Sequence, residues 1–380
     1  MKSKMQMVVF AAAAVVFAGV NTVVADNGID AVKFDPKMAM NNAVVDTNGV
    51  KWIDGKYLPI EGRVFGNVDH YYDRLPSTVT TNVNAGVRSM KHHTSGMQFR
   101  FKTSSKVLHM EWVPYGKRLE MDHMPSTGVS GIDIYRFDAK AGKWRYVSTG
   151  RITDPKGGKK TVSLEPGTPV IVNLPLYNGI KSFRLGIEKD ATISALPPRK
   201  SGIVKPVVFY GTSITHGGCC SRPGLAFVNI IGRRLDVPVV NLGFSGSGRM
   251  EYEMSEHLAA IDASCYVLDC VWNMGRGALV PKRYEPFIRN LRAKRPGVPI
   301  IMAGRCDVFC GETTRDEIFI ADLYKKLKAE GWKNLYYLPK DTMYSDDFEG
   351  TVDGCHPNDH GMMSLADAYG KAVKQALKLK

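Results

Sequence analysis

The first half of the chain alternates apolar and polar residues with a period of two. From about residue 50 to residue 188, segments such as Met97–Phe101, Val107–Trp112 and Ser182–Ile187 follow this pattern, and turn-forming sequences such as Asp154–Gly158 separate them. Short alternating strands divided by turns are typical of an antiparallel β-sandwich. The pattern therefore predicts an N-terminal β-sandwich domain.

In the second half, continuous apolar runs alternate with helical patterns. An unbroken apolar run is typical of a parallel strand that is buried on both faces. The runs are Pro206–Tyr210, Val237–Leu242, Tyr266–Cys270, Val298–Ala303 and Leu335–Leu338. Helical spacing occurs at Leu225–Leu235, Glu251–Ile261, Pro281–Lys294, Glu317–Glu330 and Asp359–Leu379. This alternation predicts an α/β domain in which helices flank a parallel sheet.

The change of period falls at Ala195–Gly202, whose prolines, glycine and charges are typical of a linker. At the N-terminus, Lys2 and Lys4 precede the apolar run Met7–Val20, and small residues up to Ala25 follow it. This is the pattern of a secretory signal peptide, because the run is too short for a membrane span. We therefore predict a signal peptide over residues 1–25, a β-sandwich domain over 26–200 and an α/β domain over 201–380.

The predicted signal peptide indicates a periplasmic or secreted protein without a membrane span. Its formal net charge of +14 has two interpretations: lysines spread over a soluble surface, which we prefer, or attraction to acidic polysaccharide or an anionic envelope. Nucleic acid is not an expected partner, because the chain has no basic helix or repeated aromatic–basic pattern.

All seven cysteines lie in the second half of the chain. If disulfides form after export, an odd number leaves at least one thiol unpaired or bridged to another chain. A zinc site at Cys306 and Cys310 is an alternative that we do not favour, because no second Cys or His pair of the usual spacing accompanies them. We expect neither a metal nor a cofactor.

A candidate nucleophile follows the first of the buried strands. The apolar run Val207–Tyr210 ends at Gly211, and Ser213 comes two residues later. Ligands of parallel sheets bind at the carboxyl ends of the strands, so Ser213 lies where a nucleophile is needed. A serine hydroxyl becomes a good nucleophile only when a base takes its proton. On its own, the pattern also fits an ordinary loop serine.

A candidate base lies just before the last predicted helix, in the sequence Asp353-Gly354-Cys355-His356. An aspartate three residues before a histidine can bind the Nδ1 atom of its ring, which leaves Nε2 free to accept the proton of Ser213. The alternative is a structural histidine beside an aspartate that caps the helix.

The donors for an oxyanion come from two further strand ends. The glycine-rich loop Asn241–Gly248 can present a backbone N–H, and Asn273 can present a side-chain amide. Each loop alone is an ordinary connection, but together with Ser213 and the Asp–His pair they predict an ester hydrolase, whose tetrahedral intermediate needs such donors.

These motifs resemble those of the SGNH hydrolases, the GDSL-like esterase family, over the chain from about residue 204 to its end. Four motif blocks occur in the order found in the family, namely Gly211–Thr215, Asn241–Gly246, Asn273, and Asp353 with His356. The resemblance implies a flavodoxin-like SGNH hydrolase domain without a metal or cofactor.

The resemblance also implies a role for each matched residue. Ser213 attacks the substrate and donates its backbone N–H to the oxyanion, His356 is the base and Asp353 orients it. Gly246 is the expected glycine of the oxyanion hole, with Gly243 in reserve, and Asn273 supplies its side-chain amide.

Two departures from the common family pattern point to one branch of the family. Thr212 stands where an aspartate usually precedes the nucleophile, and Val271–Met274 replaces a glycine-rich block. Both changes resemble a branch whose N-terminal β-domain carries a Gly-x-Asp-Leu-Tyr motif. Gly131–Tyr135 matches that motif, with Ile134 in the leucine position. We expect a role for Asp133 in strand or turn structure and none in the chemistry.

Other residues compete for roles in the site. His216 either lines the pocket or is a plain loop residue, and His360 is expected to point elsewhere. Asp269 and Asp307 follow strands but have no histidine close by in sequence. A thiol nucleophile is conceivable at the cysteines near the motifs, although such residues more often serve packing or disulfides; they are Cys219, Cys220 and Cys355.

Together these features predict an exported serine esterase that forms a covalent acyl-serine. The resemblance implies a short acyl group, acetyl in particular, on an acylated carbohydrate or another small ester. One alternative is a lipase, thioesterase or arylesterase, although no long apolar lid segment is evident. Another is a catalytically inactive carbohydrate-binding protein, which would have no reason to keep the complete set of motif residues.

Overall fold

The computed structural model of the protein describes residues 34–275, 278–305, 313–340 and 347–380. The predicted signal peptide over 1–25 lies outside these ranges, as do Cys306, Asp307 and Cys310. Within the described ranges, no helix is long and apolar enough to cross a membrane.

The N-terminal half forms two antiparallel sheets that share one apolar core. Its strands are β1 (Val44–Val45), β2 (Val50–Asp54), β3 (Ile60–Glu61), β4 (Gln98–Thr103), β5 (Val107–Pro114), β6 (Ile132–Asp138), β7 (Lys143–Gly150), β8 (Gly158–Ser163), β9 (Pro169–Asn173), β10 (Ile180–Glu188) and β11 (Ile193–Ser194). A short helix, α1 (Pro36–Asn41), precedes the first strand, and two others lie between strands, namely α2 (Ala85–Met90) and α3 (Ser126–Val129).

One sheet has the order β1-β2-β10-β5-β8, and the other has the order β11-β4-β9-β6-β7 with β3 paired to β4. Alternate side chains of both sheets point into the shared core, where Trp112 of β5 and Phe99 of β4 are buried. The predicted antiparallel β-sandwich is confirmed.

The C-terminal half contains a parallel sheet with helices on both faces. Its strands are β12 (Val207–Gly211), β13 (Val239–Gly243), β14 (Cys265–Asp269), β15 (Ile300–Ala303) and β16 (Leu335–Leu338). Its helices are α4 (Ser213–His216), α5 (Phe227–Leu235), α6 (Tyr252–Ala260), α7 (Val280–Lys294), α8 (Arg315–Ala329) and α9 (Asp359–Ala376).

The parallel strands lie in the order β13-β12-β14-β15-β16, which confirms the flavodoxin-like α/β fold. β12, the first of these strands in the sequence, pairs with both β13 and β14. The chain therefore changes its direction of winding at β12. Crevices that bind ligands form at such switch points, outside the carboxyl ends of the strands. The fold therefore places the residues after β12 and β14 at the expected position of a site.

Successive side chains of each parallel strand point to opposite faces of the sheet, and helices cover both faces. In β12, Val208 and Tyr210 pack with α6, α7 and α8 on one face, whereas Val207 and Phe209 pack with α5 and α9 on the other. Because each side chain meets a helix, the strands have no polar face, as their unbroken apolar runs predicted.

The two halves share part of one core. Residues from the first half, among them Val64, Leu75 and Val87, belong to the cluster that packs on the α6–α8 face of the parallel sheet. The segment that connects β3 with β4 therefore leaves the sandwich and covers the neighbouring domain. The boundaries at 26–200 and 201–380 stay a prediction.

The Gly-x-Asp-x-Tyr segment forms a second joint between the halves. Asp133 in β6 is fully buried, and its carboxylate accepts hydrogen bonds from Asn173 Nδ2 at 2.8 Å, Arg222 Nη1 at 2.8 Å and the backbone N–H of Gly224 at 2.9 Å. The same Arg222 also donates to the hydroxyl of Tyr135. The motif thus holds the sandwich against the loop that follows α4.

Candidate active site

Ser213 is the first residue of α4, and Thr212 alone separates it from the end of the strand β12. Thr212 caps this short helix, because its hydroxyl accepts a hydrogen bond from Ile214 N at 3.2 Å. The first N–H groups of a helix have no acceptor within the helix, so the N–H of Ser213 is available to a ligand. A Cβ atom at Gly211 would lie 2.1 Å from Thr215 Oγ1, so the tight turn requires glycine there.

The structure brings the three predicted triad residues together. Ser213 Oγ lies 2.8 Å from His356 Nε2, and His356 Nδ1 lies 2.7 Å from Asp353 Oδ2. The other carboxylate oxygen of Asp353 accepts the backbone N–H groups of Cys355 at 3.0 Å and His356 at 2.7 Å. This compact turn fixes the aspartate, so the imidazole ring is held from one side and free to meet the hydroxyl on the other.

The electrostatics of the turn favour an ionised Asp353. Partial burial by itself would raise the pKa of Asp353, but hydrogen bonds from the backbone and ring of His356 and the backbone of Cys355 lower it to about 2. A carboxylate on Nδ1 selects the tautomer in which Nδ1 carries the proton and Nε2 accepts one. The pair is therefore arranged to remove the proton of Ser213.

Hydrogen bonds join the loops that carry the predicted oxyanion donors. Phe244 N donates to Gly211 O at 2.9 Å, and Asn273 Nδ2 donates to Phe244 O at 3.2 Å. Gly246 has a φ of +63°, which favours glycine, and open space surrounds the position of its missing side chain. The reserve residue Gly243 donates its N–H to Asn241 Oδ1 at 2.9 Å, so this donor is already engaged. The assignment of Gly246 and Asn273 to the oxyanion hole stays a prediction.

Two residues of the N-terminal half support the nucleophile and went unnoticed in the sequence. Tyr177 donates its hydroxyl to Ser213 O at 3.1 Å, and its ring stacks on His216 with 4.2 Å between the centroids. Arg74 is buried and donates to the carbonyl oxygens of Asn241 at 3.1 Å and Gly243 at 2.8 Å. No motif or spacing marks either residue, because each contact spans two domains.

The competing histidines do not take part in this arrangement. His216 is fully buried, and its Nε2 atom lies 2.8 Å from the carbonyl oxygen of Leu176. Burial and the neighbouring Arg74 hold the pKa of His216 well below its usual value, so it is neutral and packed between the domains. His360 pairs with Asp347 at 3.1 Å on the outside of α9.

Asp269 and the thiols are also poor candidates for the chemistry. Asp269 is buried and accepts a hydrogen bond from Thr215 Oγ1 at 2.6 Å, and burial raises its pKa to about 7. Burial likewise raises the pKa of the Cys219 thiol to about 12 and that of Cys220 well above its usual value. Neither cysteine is a ready nucleophile, since the reactive species is the thiolate.

At the switch point of this flavodoxin-like sheet, a hydroxyl is hydrogen-bonded to an imidazole, which is hydrogen-bonded to a carboxylate. This is the arrangement found in serine hydrolases. Comparison with protein families gives the same class. Residues 204–374 match the GDSL-like lipase/acylhydrolase family, and residues 50–193 match GxDLY, the N-terminus of Esterase_SGNH_hydro-type. The chain belongs to this GDSL-like (SGNH) hydrolase family, and to its branch with the GxDLY domain.

Solved structures share the whole architecture. A structure described as a GDSL-like lipase from Bacteroides ovatus is 28% identical with a TM-score of 0.78, and the match covers 87% of this chain and 99% of that one. The salicylyl-acyltransferase SsfX3 from a tetracycline biosynthetic pathway is 17% identical with a TM-score of 0.71, and the match covers 88% and 100% of the two chains.

A family two carbohydrate esterase from Cellvibrio japonicus is 10% identical with a TM-score of 0.51, over 93% and 97% of the two chains. At such identities, the likeness to SsfX3 and to this esterase concerns the fold alone. No curated protein matches the chain in sequence.

Proposed function

We propose that this protein is an exported serine esterase that removes short acyl groups, acetyl in particular, from carbohydrate. The observation that carries the proposal is the continuous hydrogen-bonded chain from Ser213 Oγ through His356 to Asp353, with distances of 2.8 and 2.7 Å. Ser213 and His356 are 143 residues apart in the chain, so their alignment is not a product of local structure.

In the first half of the reaction, His356 Nε2 takes the hydroxyl proton while Ser213 Oγ attacks the ester carbonyl carbon. The tetrahedral oxyanion receives hydrogen bonds from the N–H groups of Ser213 and Gly246 and from the Asn273 amide. Collapse of this intermediate breaks the ester bond. His356 then returns its proton to the departing sugar oxygen, which leaves an acyl-serine.

In the second half, water replaces the sugar. His356 takes one proton from water as the water oxygen attacks the acyl carbon, and a second oxyanion forms in the same donors. When that intermediate collapses, the proton returns to Ser213 Oγ and the carboxylic acid leaves. Throughout the cycle, ionised Asp353 stabilises the imidazolium that forms at each attack.

The carbohydrate assignment has weaker support than the chemistry. Structures named as family two carbohydrate esterases share the fold at TM-scores of 0.54 and 0.51. A short acyl group fits a site at the open ends of strands. The competing lipase, thioesterase or arylesterase activity on long chains requires an apolar trough, for which the sequence offers no long apolar lid.

The first test is hydrolysis of p-nitrophenyl acetate by the wild type and by Ser213→Ala. We expect the variant to lose nearly all activity, and equal rates would show that the nucleophile is wrong. Rates on acetyl and octanoyl esters separate the esterase from the lipase. Mass-spectrometric scoring of acetate release from a panel of acetylated glycans then tests the carbohydrate, and release from none of them would contradict that part of the proposal.

A further inference from the structure

A second set of donor atoms meets at the catalytic histidine. One side-chain donor atom each of His123, Cys219 and His356 lie within 4.8 Å of one another. The ring of His123 stands edge-on to that of His356, with 5.8 Å between the centroids. His123 is exposed, in the turn between Met121 and Met124, while Cys219 is buried. The set therefore has one exposed ligand, one buried ligand and, in His356, one that Asp353 and Ser213 hold by hydrogen bonds.

Two imidazoles and one thiol are a ligand set for zinc and similar ions. Zinc–nitrogen bonds are about 2.0–2.1 Å and zinc–sulfur bonds about 2.3 Å, so a tetrahedral ion needs ligand atoms roughly 3.5 Å apart. Binding an ion therefore requires the three ligand atoms to move closer together than the present 4.8 Å limit, and His123 is the ligand that lies exposed on the surface. Catalytic zinc sites likewise combine three protein ligands with one open position.

The carboxylate behind His356 improves the fit. Metal-bound histidines usually donate their other ring N–H to a carboxylate or carbonyl, which orients the ring and raises its basicity. Asp353 already binds Nδ1 at 2.7 Å, which leaves Nε2 for a metal. The pair that makes His356 a base therefore also makes it a metal ligand.

We propose that His123, Cys219 and His356 form an inhibitory site for zinc or another divalent cation that binds thiolate and imidazole. On binding, the cation displaces the proton of the Cys219 thiol, forms a metal–sulfur bond and takes the Nε2 lone pair of His356. The proton of Ser213 then has no acceptor, so the nucleophile cannot be activated. The inhibition rests on the proposed esterase activity, whereas the binding does not.

Binding is tested first, without activity, by titrating Ser213→Ala with cobalt(II) chloride. Cobalt takes the same ligands as zinc and absorbs light, and a thiolate ligand adds a charge-transfer band in the near ultraviolet. We expect that band in Ser213→Ala, its loss when Cys219→Ala is added, and its retention with Cys355→Ala. Cys355 is the matched control because it is a cysteine beside His356 but outside the ligand set.

Inhibition is tested next on the otherwise unchanged enzyme, by hydrolysis of p-nitrophenyl acetate against zinc chloride. Each variant is scored against its own metal-free rate. We expect His123→Ala to need at least about 10-fold more zinc for half inhibition, since changes around a metal ligand already cost 10–100-fold in affinity. His360→Ala, which removes another exposed histidine, should keep the wild-type sensitivity.

The outcomes separate the two proposals. One outcome is a cobalt band that depends on Cys219 while neither the wild type nor any variant hydrolyses p-nitrophenyl acetate. That result supports the metal site and contradicts the esterase activity. Three results overturn the metal site, whether or not the protein hydrolyses p-nitrophenyl acetate. They are absence of the band, dependence of the band on Cys355, and equal zinc sensitivity of His123→Ala and the wild type.

Discussion

The two domains contribute to the candidate site in different ways. The α/β domain supplies every atom assigned to the reaction, namely those of Ser213, Gly246, Asn273, Asp353 and His356. The β-sandwich half supplies contacts behind them, because Tyr177 and Arg74 bind the backbone of the catalytic loops. The proposed reacting side chains thus lie in loops of one domain, and the other domain contacts the backbone of those loops from behind.

This contrast predicts that the largest loss of activity follows from a change within the α/β domain. In His356→Ala, no base remains to take the Ser213 proton, and we expect kcat/KM on p-nitrophenyl acetate to fall by at least ~10⁴-fold. His360→Ala is the control, since this histidine pairs with Asp347 away from Ser213. A His356→Ala variant with near wild-type rates would refute the assignment of the base.

The joint at Asp133 should matter for stability and little for chemistry. In Asp133→Asn, Arg222 loses its carboxylate partner, and the new NH₂ group must face one or more of the donors that now bind the two carboxylate oxygens. Loss of one partner of a buried ion pair costs about 3–5 kcal/mol. We expect a lower melting temperature with nearly normal rates below it. Asp138→Asn on the same strand is the control, because Asp138 pairs with an Arg145 side chain that is 58% exposed. Equal melting temperatures for both variants would contradict the proposed role of Asp133 in holding the two halves together.

Burial of Asp269 predicts a stability that depends on pH. Its folded-state pKa of about 7 lies above the ordinary value of 3.8, so the folded protein binds a proton that the unfolded chain has released between those values. This contribution is complete below about pH 4 and is lost as the pH rises towards 7, at up to about 1.4 kcal/mol per pH unit.

The measurement is denaturant unfolding of the wild type and Asp269→Asn at several pH values. The variant has no such proton, so its stability relative to the wild type should rise between pH 5 and pH 8. A constant difference over that range would mean that Asp269 is ionised in the folded protein. Other ionisable groups that face this carboxyl group are Tyr369, Cys270 and Tyr284.

Sequence patterns predicted the fold and the proximity of Ser213 and His356 for a physical reason. Apolar runs and helical spacing are local signals, and they located each parallel strand and its helices to within a few residues. The proximity of Ser213 and His356 could be predicted because the carboxyl ends of parallel strands meet at one edge of the sheet. Loops that are distant in sequence become neighbours there.

What the sequence did not reveal depends on how the two domains dock. His123, Tyr177 and Arg74 lie on the β-sandwich half and reach the site only through that docking, which no periodicity encodes. His216 could not be classified from sequence either, because its burial against Tyr177 decides that it is neutral. Likewise, Asp133 was expected to act within a strand, and only the structure shows its bonds across the domain joint.

Asn273 tests whether the third loop takes part in the reaction. Loss of one oxyanion donor typically costs about 2.7–4 kcal/mol, so Asn273→Ala should lower kcat by roughly 10²–10³-fold. Because this donor acts on the developing oxyanion, KM should change much less than kcat. An equal loss in Asn290→Ala, which removes an amide that binds Glu256 on the outside of the domain, would point to a general structural defect.

The smallest expected effect tests the supporting role of the β-sandwich most directly. Tyr177→Phe keeps the ring that stacks on His216 and removes only the hydroxyl group, which donates to Ser213 O and also bonds with the Ser245 side chain. A neutral hydrogen bond is worth about 0.5–1.5 kcal/mol, so kcat should fall roughly two- to tenfold while KM stays near the wild-type value. Tyr146→Phe is the control, since its hydroxyl bonds to Thr149 on the surface. If Tyr177→Phe instead raised KM at constant kcat, Tyr177 would contact substrate, and the sandwich would help to recognise the ester as well as support the nucleophile.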